Sequence, residues 1–208
     1  MKVLLKFLGC RPHIILLTVL LLSRSELNTA FFLQARKGAK TNPLLKDLES
    51  LIQESGNGPS QDMKAKIKSL MTDISESRQG DQRKSLSGQW ELIFTTEKEV
   101  NFFKTSWPFA KVSAITQEID PYGSCTVDNL ISFEGGGEFA VTGTVSPTKS
   151  DSEYDRVEFE FKSAVVRAWD RELALPPVGA GWFDTMYCDS TYRLSRDNRG
   201  DWSVFKRL

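Results

Sequence analysis

The sequence contains a single histidine, His13, among its 208 residues. His13 lies in a basic and apolar N-terminal segment that has the composition of a cleaved leader. The mature chain would then hold no imidazole, which excludes Ser-His and Cys-His catalysis and every histidine-containing metal site. We therefore predict neither a metal site nor a cofactor.

Cysteine is almost as scarce, with three residues in the chain. Outside the leader only Cys125 and Cys188 remain, far apart and without a CxxC pattern. They are too few for a zinc cluster or a disulfide-rich scaffold. We expect two buried or half-buried free thiols, with a single disulfide as the alternative in an oxidising compartment.

The chain also lacks net charge, because 27 basic and 27 acidic side chains cancel. The first 40 residues hold seven Lys and Arg against one acidic residue, Glu26. The remaining chain has 20 basic and 26 acidic groups, a net charge of −6. An anionic body argues against a nucleic acid partner, whose binding requires a cationic surface.

A two-part leader is predicted at the N-terminus. The longest apolar run, residues 14–22, is too short for a bilayer span, which needs about 20 helical residues. Its basic start and short apolar centre predict a signal peptide over residues 1–30. Residues 31–41 have no acidic side chain, which is typical of a transit peptide. The Ala30-Phe31 junction resembles the plastid leader of algae with complex plastids, whereas a plain secreted protein is the alternative.

Two amphipathic helices are predicted in the N-terminal segment, residues 42–85. Asn42 and Pro43 suit the start of the first helix, and residues 56–58, Gly-Asn-Gly, suit its end. A second helix starts near Ser60. Apolar residues recur at helical spacing in both, at Leu44, Leu48, Leu51, Ile52, Met63, Ile67, Leu70, Met71 and Ile74. Such stripes indicate packing against the next domain, and a membrane-surface role is the alternative.

From residue 86 to 208 the apolar period changes to two. Strands are predicted to begin near Gly88 and then at residues 112–119, 126–133, 139–145, 157–161, 187–194 and 202–205. Ile93 is an outlier in the first of them. Short alternating strands without intervening helices predict an antiparallel sandwich or barrel.

Gly88 and Trp90 open the first strand, and Arg207 follows the last. In lipocalin-like barrels a Gly-x-Trp tryptophan plugs the closed end and a C-terminal arginine lies across its indole ring. The alternative is a core tryptophan and a solvated terminal charge. We therefore predict a mainly β protein, a lipocalin-like antiparallel β-barrel preceded by a two-helix segment.

The segment PPVGAGWFDTMY, residues 176–187, resembles the C-terminal signature of the plastid lipid-associated proteins, the fibrillins. Residues 86–96, LSGQWELIFTT, are similar to the first strand of that family. Gln117, Asn129 and Arg193 also look like family positions, whereas Cys188 and Ser190 depart from them. The resemblance implies a non-catalytic plastid protein that binds a lipid, a prenylquinone or a carotenoid. It also implies association with plastoglobules or thylakoids, with the stroma as the alternative location.

Two aromatic segments are the candidate ligand-binding sites. In the signature, Trp182 and Phe183 would form a lip at the barrel mouth, on a loop that Asp184 and Thr185 hold by hydrogen bonds. The alternative is that Asp184 fixes the loop and Trp182 fills the core. The second segment contributes Phe102, Phe103, Trp107 and Phe109. It is either a ligand or membrane contact or a lid packed over the barrel.

Enzymatic activity has little support in the sequence. Asp170, Glu172 and Cys188 offer carboxylate and thiol chemistry, but no pair has a useful spacing and no glycine-rich phosphate loop is present. We predict no catalysis. The alternatives are a structural coat of plastid lipid bodies without an internal ligand, or a small barrel isomerase or cyclase acting on an apolar substrate.

Overall fold

The computed structural model describes residues 42–56, 59–77, 86–106, 110–148, 154–168, 171–176 and 179–208. Its helices are α1 (Pro43–Ser55), α2 (Gln61–Glu76) and α3 (Lys98–Thr105). Its strands are β1 (Gly88–Thr95), β2 (Val112–Asp120), β3 (Thr126–Phe133), β4 (Glu138–Thr148), β5 (Asp155–Ala168), β6 (Arg171–Leu175), β7 (Ala180–Cys188), β8 (Tyr192–Asp197) and β9 (Trp202–Arg207). The predicted signal and transit peptides, residues 1–30 and 31–41, lie outside the described residues. Within the described part, no helix is both long and apolar enough to cross a membrane.

Helices α1 and α2 begin at polar side chains that cap their free N–H groups. Asn42 Oδ1 accepts a hydrogen bond from the Leu44 N–H at 3.1 Å, and Ser60 Oγ accepts one from Met63 at 3.2 Å. Helix α1 ends at Gly56, whose φ of +56° is left-handed. The two helices predicted for the N-terminal segment are therefore present as α1 and α2.

Eight antiparallel strands close into a barrel in the order β1-β2-β3-β4-β5-β7-β8-β9. Strand β1 pairs with β2 on one side and with β9 on the other, and the pairing of β4 with β5 completes the ring. The short strand β6 extends β5 as an exposed hairpin. The prediction of an antiparallel barrel preceded by two helices is confirmed.

Two apolar clusters lie on opposite faces of the sheet. The outer cluster joins Ile67, Met71 and Ile74 of α2 to Leu194 and Val204 of the barrel wall. The inner cluster lines the barrel interior and contains Trp90, Leu92 and Phe205, among others. The helical stripes therefore pack against the barrel, as the core-packing interpretation predicts. Strands β8 and β9 are consequently buried on both faces.

The outlier Ile93 marks a β-bulge. The pairing of β1 with β9 shifts between Leu92 and Phe94. Leu92 lies in the inner cluster and Phe94 in the outer one. The extra residue therefore switches the side chains of β1 from one face to the other.

Several local predictions were wrong. The signature was interpreted as a loop, but residues 180–188 form strand β7. The strand predicted at residues 187–194 is divided by a turn, in which Asp189 Oδ1 accepts hydrogen bonds from the N–H groups of Thr191 and Tyr192. Helix α3 and strand β6 were not predicted. Cys125 is exposed rather than buried, and it and Cys188 are free thiols.

Candidate ligand-binding site

Trp90 and Arg207 close one end of the barrel. The Trp90 side chain is fully buried, and its Nε1 donates a hydrogen bond to the Leu86 carbonyl at 3.0 Å. The guanidinium carbon of Arg207 lies 4.0 Å from the centroid of the Trp90 ring system, and its Nη1 donates to the Ser87 carbonyl. A Cβ at Gly88 would overlap Arg207 Nη1, so a larger residue here would require the stacked guanidinium to shift.

Above this plug the barrel encloses a cavity of about 510 Å³. Its volume falls within the range of about 300–1,000 Å³ that small-molecule sites occupy. Most of its wall is apolar. The apolar lining comes from Leu92, Val100, Phe103, Ile115, Val127, Ile131, Phe139, Val141, Phe159, Phe161, Phe183 and Phe205. The cavity can therefore hold an apolar molecule of moderate size.

Three hydrogen-bonded polar side chains interrupt this apolar wall near the closed end. Arg193 Nη2 donates a hydrogen bond to Gln117 Oε1, and Gln117 Nε2 donates to Asn129 Oδ1 at 2.8 Å. Ser195 stands two residues along β8 and has a buried Oγ without a partner among the described residues. The cavity is thus polar at its closed end and again at the opposite end, where Glu97, Asp197 and Arg199 line it, and its body is apolar.

Burial changes the acid–base behaviour of Arg193 and of Cys188, its partner in the β7–β8 ladder. Desolvation, with a smaller contribution from Arg207, lowers the pKa of Arg193 to about 9. Desolvation likewise raises the pKa of the Cys188 thiol to about 11. At neutral pH the guanidinium is therefore charged and the thiol is protonated.

Helix α3 lies across the opposite end, the mouth. Its Phe103 stacks on Phe139 of β4, with ring centroids 5.9 Å apart and an interplanar angle of 19°. Arg199, in the turn between β8 and β9, donates hydrogen bonds to Glu97 at 3.2 Å and to Glu99 at 3.0 Å. The start of α3 is thus tied to the barrel rim.

The structure separates the residues predicted as one aromatic segment. Phe103 lines the cavity from α3. Phe102 points away and is 48% exposed. Trp107 and Phe109 lie outside the described residues. The lid interpretation therefore describes Phe103, whereas Phe102 belongs to the outer surface.

The predicted signature residues also divide between two faces of β7. Phe183 lines the cavity. Trp182 and Asp184 both contact Arg156 of β5. The guanidinium carbon of Arg156 lies 3.5 Å from the centroid of the Trp182 ring system. Its Nε and Nη2 donate hydrogen bonds to the Asp184 carboxylate at 2.8 and 3.0 Å. Thr185 is fully buried, with an Oγ1 that has no partner among the described residues. Trp182 and Asp184 thus act together in a surface contact between β5 and β7.

Sequence reasoning assigned no ligand role to Arg193, Gln117 or Asn129. Each stands among alternating strand residues, where a polar side chain ordinarily faces water. The only signal was their similarity to family positions, which marked them without indicating a role. Within the described residues, no group of three His, Cys, Asp or Glu side chains could hold a metal ion.

Comparison with known proteins identifies the family of the chain. The PAP_fibrillin family model matches residues 44–206. The chain is 35% identical over 124 residues to "Probable plastid-lipid-associated protein 11, chloroplastic" from Arabidopsis thaliana. That match covers 59% of this chain and 57% of the relative. No solved structure matches the chain. The family model extends from the second residue of α1 to the penultimate residue of β9, and so covers nearly all of the helices and the barrel. The chain belongs to the PAP/fibrillin family.

Proposed function

We propose that the protein is a non-catalytic, lipid-associated plastid protein that binds an apolar small molecule inside its barrel. The observation that carries this proposal is the cavity of about 510 Å³, whose wall is mostly aliphatic and aromatic. Burial of a ligand against such a wall contributes about 25 cal/mol for each Å² of apolar surface removed from water. Phe103 and Phe183 are the predicted site residues that we place in contact with the ligand.

A plastid location is part of the proposal. The Arabidopsis relative is named as chloroplastic and plastid-lipid-associated. The predicted leader, residues 1–41, agrees with entry into a plastid through a signal peptide and a transit peptide, in an alga with complex plastids. We propose plastoglobule or thylakoid surfaces as the place where the protein meets its ligand.

The absence of catalysis is proposed on the chemistry of the buried thiol in the barrel and of the carboxylates that line the cavity. The Cys188 thiol is protonated at neutral pH because burial raises its pKa to about 11. The three carboxylates at the mouth all form ion pairs with Arg199. The distances are 3.1 Å for Asp197, 3.2 Å for Glu97 and 3.0 Å for Glu99. Neither the thiol nor these carboxylates are arranged as a nucleophile with an adjacent base.

Mass spectrometry of an organic extract tests the binding. The full chain is produced in plastid-containing cells, purified and extracted, and the extract is compared with that of a variant whose cavity is filled. We expect one stoichiometric lipid, prenylquinone or carotenoid in the native protein. An empty extract from a folded protein would contradict internal binding.

Adjacent positions on β4 supply the variant and its control. Val141 lines the cavity, whereas the neighbouring Thr142 is exposed on the outer face. Val141→Trp fills the interior and should remove the bound molecule. Thr142→Trp adds the same side chain outside and should leave the bound molecule in place.

A surface coat without an internal ligand is the second candidate, favoured by Phe102. This exposed ring borders a groove between α2 and α3 that is also lined by Lys64, Lys68 and Lys98. An aromatic side chain among lysines suits an anionic lipid surface. Phe102→Ser should then reduce flotation of the protein with lipid droplets. Tyr122→Ser, at an aromatic residue of equal exposure near the closed end, is the matched control.

A further inference from the structure

Arg193 has an unusual position for an arginine. Its neighbours Tyr192 and Leu194 face the helices, so strand alternation directs Arg193 into the barrel. The residue is 1% exposed. Its guanidinium carbon lies 3.9 Å from the centroid of the Phe205 ring and 5.2 Å from that of Trp90. A guanidinium is thus held against aromatic faces at the closed end of the cavity.

Its hydrogen bonding is incomplete. A guanidinium carries five N–H donors. Nη2 donates to Gln117 Oε1, whereas Nε and Nη1 have no partner among the described residues. Gln117 is itself held by Asn129. Buried donors without an acceptor are costly, and these two nitrogens belong to a residue that lines the cavity.

Its charge is uncompensated as well. No ion pair joins Arg193 to a carboxylate in the described part of the chain, and the acidic residues of the lining, Glu97, Glu99 and Asp197, bind Arg199 at the mouth. The other cation near the Trp90 ring, Arg207, repels Arg193 and contributes to lowering its pKa. The closed end of the cavity is therefore positive, the body of its wall is mostly apolar, and the charges at the mouth pair with one another.

An anionic acceptor satisfies both deficits. A neutral carbonyl accepts a hydrogen bond but leaves the buried charge unbalanced, whereas a carboxylate accepts from the guanidinium and neutralises it. A dianionic head group would exceed the single charge that lacks a partner. The walls formed by Val127, Ile131 and Phe159 offer no further charge to an extended apolar tail.

We infer that the ligand of the cavity is a long-chain carboxylic acid whose carboxylate binds Arg193 at the closed end, with its hydrocarbon tail directed toward the mouth under Phe103. This inference rests on the proposed function and specifies the ligand class of the same site. Arg193 is the head-group residue, and Gln117 is a positioning residue that holds the guanidinium.

Paired ligands that differ only in charge test the inference. Laurate and methyl laurate share one tail and differ at the head. Each displaces N-phenyl-1-naphthylamine, an uncharged fluorescent probe, from the full chain at pH 7.5. We expect laurate to bind at least about tenfold more tightly than the ester, equivalent to about 1.4 kcal/mol.

Two variants assign this preference to Arg193. Arg193→Met removes the charge and should bring the two affinities within about twofold of each other. Gln117→Glu places a carboxylate at the position that already accepts from Arg193 Nη2, and should reduce laurate binding about tenfold while sparing the ester. Asn198→Asp also replaces an amide by a carboxylate, at an exposed residue in the turn after β8, and should preserve the preference for laurate over its ester.

The outcomes separate the two proposals. Equal binding of laurate and its ester to the native protein would overturn the carboxylate inference and leave apolar binding in place. Failure of both ligands, together with an empty cell extract, would overturn the proposed function as well. If Arg193→Met does not fold, Gln117→Glu decides, because an unchanged preference for laurate in that variant would exclude Arg193 as the head-group residue.

Discussion

The guanidinium carbon of Arg207 lies 4.0 Å from the centroid of the Trp90 ring system, so the last strand of the barrel closes over a side chain of the first. Arg207 and Trp90 are also partners in the β1–β9 ladder. The stack of Arg207 on Trp90 thus connects the last strand of the barrel to the first. It also closes the end of the cavity at which Arg193 lies.

Gly88→Ala should disrupt this seal. The new methyl group would meet Arg207 Nη1 at 2.3 Å, and the Gly88 φ of +137° is unfavourable for alanine. We expect a loss of about 1–3 kcal/mol in the free energy of unfolding, measured by urea denaturation. Gly136→Ala is the control and should lose less stability, because its φ of +93° is also unfavourable for alanine but no atom lies within 4 Å of the added carbon. Equal losses in the two variants would show that the contact with Arg207 contributes nothing.

Ile67→Ala should weaken the attachment of α2 to the barrel. Ile67 is fully buried in the outer cluster, so its truncation should cost about 2–5 kcal/mol in urea denaturation. Because the cavity lies on the other face of the sheet, probe displacement by laurate should persist in the folded variant. Lys66→Ala, at an exposed neighbour, should leave stability unchanged. A loss of binding without a loss of stability would place Ile67 in the ligand site instead.

Asp184→Asn should separate the structural role of the signature from ligand binding. The change removes the charge that pairs with Arg156 at 2.8 Å, on the face of β7 opposite Phe183. We expect a lower unfolding midpoint, by less than in Ile67→Ala, and the same bound molecule in the organic extract. Loss of that molecule at unchanged stability would make Asp184 a ligand residue.

The contact between α1 and the barrel should respond to acid. Lys206, which donates to Glu49 Oε1 at 2.7 Å, and the Tyr192 hydroxyl lower the pKa of Glu49 from its ordinary 4.5. The stabilisation is therefore present above pH 4.5 and is lost as the pH falls through the lowered value. Between pH 7 and pH 3 the urea midpoint should fall less in Glu49→Gln than in the native protein. Glu54→Gln, exposed on the same helix, should follow the native curve.

The architecture was predictable because the caps and the alternation are local signals. Asn42 and Ser60 begin helices where the sequence places them, and the strict alternation of Val157, Phe159 and Phe161 is that of a strand with one face inside a barrel. Ile93 breaks the alternation of apolar and polar residues in the sequence, and the β-bulge lies at this residue. These features depend on near neighbours, which a sequence displays directly.

The site was less predictable because it depends on which face of a strand lies inside. In β8 the apolar residues Tyr192 and Leu194 face the helices, and the polar Arg193 faces the cavity. Alternation alone would assign the apolar residues to the interior. Likewise the glycines of the signature suggested a loop, although Gly181 lies within β7, opposite Phe159 of β5. Only the tertiary arrangement reverses these assignments.

The helices cover only part of the barrel. Strands β8 and β9 have side chains buried on both faces, whereas β3, β4 and β5 expose polar side chains such as Asp128, Thr142 and Glu158 to water. Amide hydrogens in the doubly covered wall should therefore exchange more slowly than those in the singly covered one. We therefore expect any widening of the interior to take place at β3–β5 rather than in the wall that holds Arg193. A ligand of the inferred class would then meet a fixed site for its carboxylate and a more deformable wall around its hydrocarbon tail.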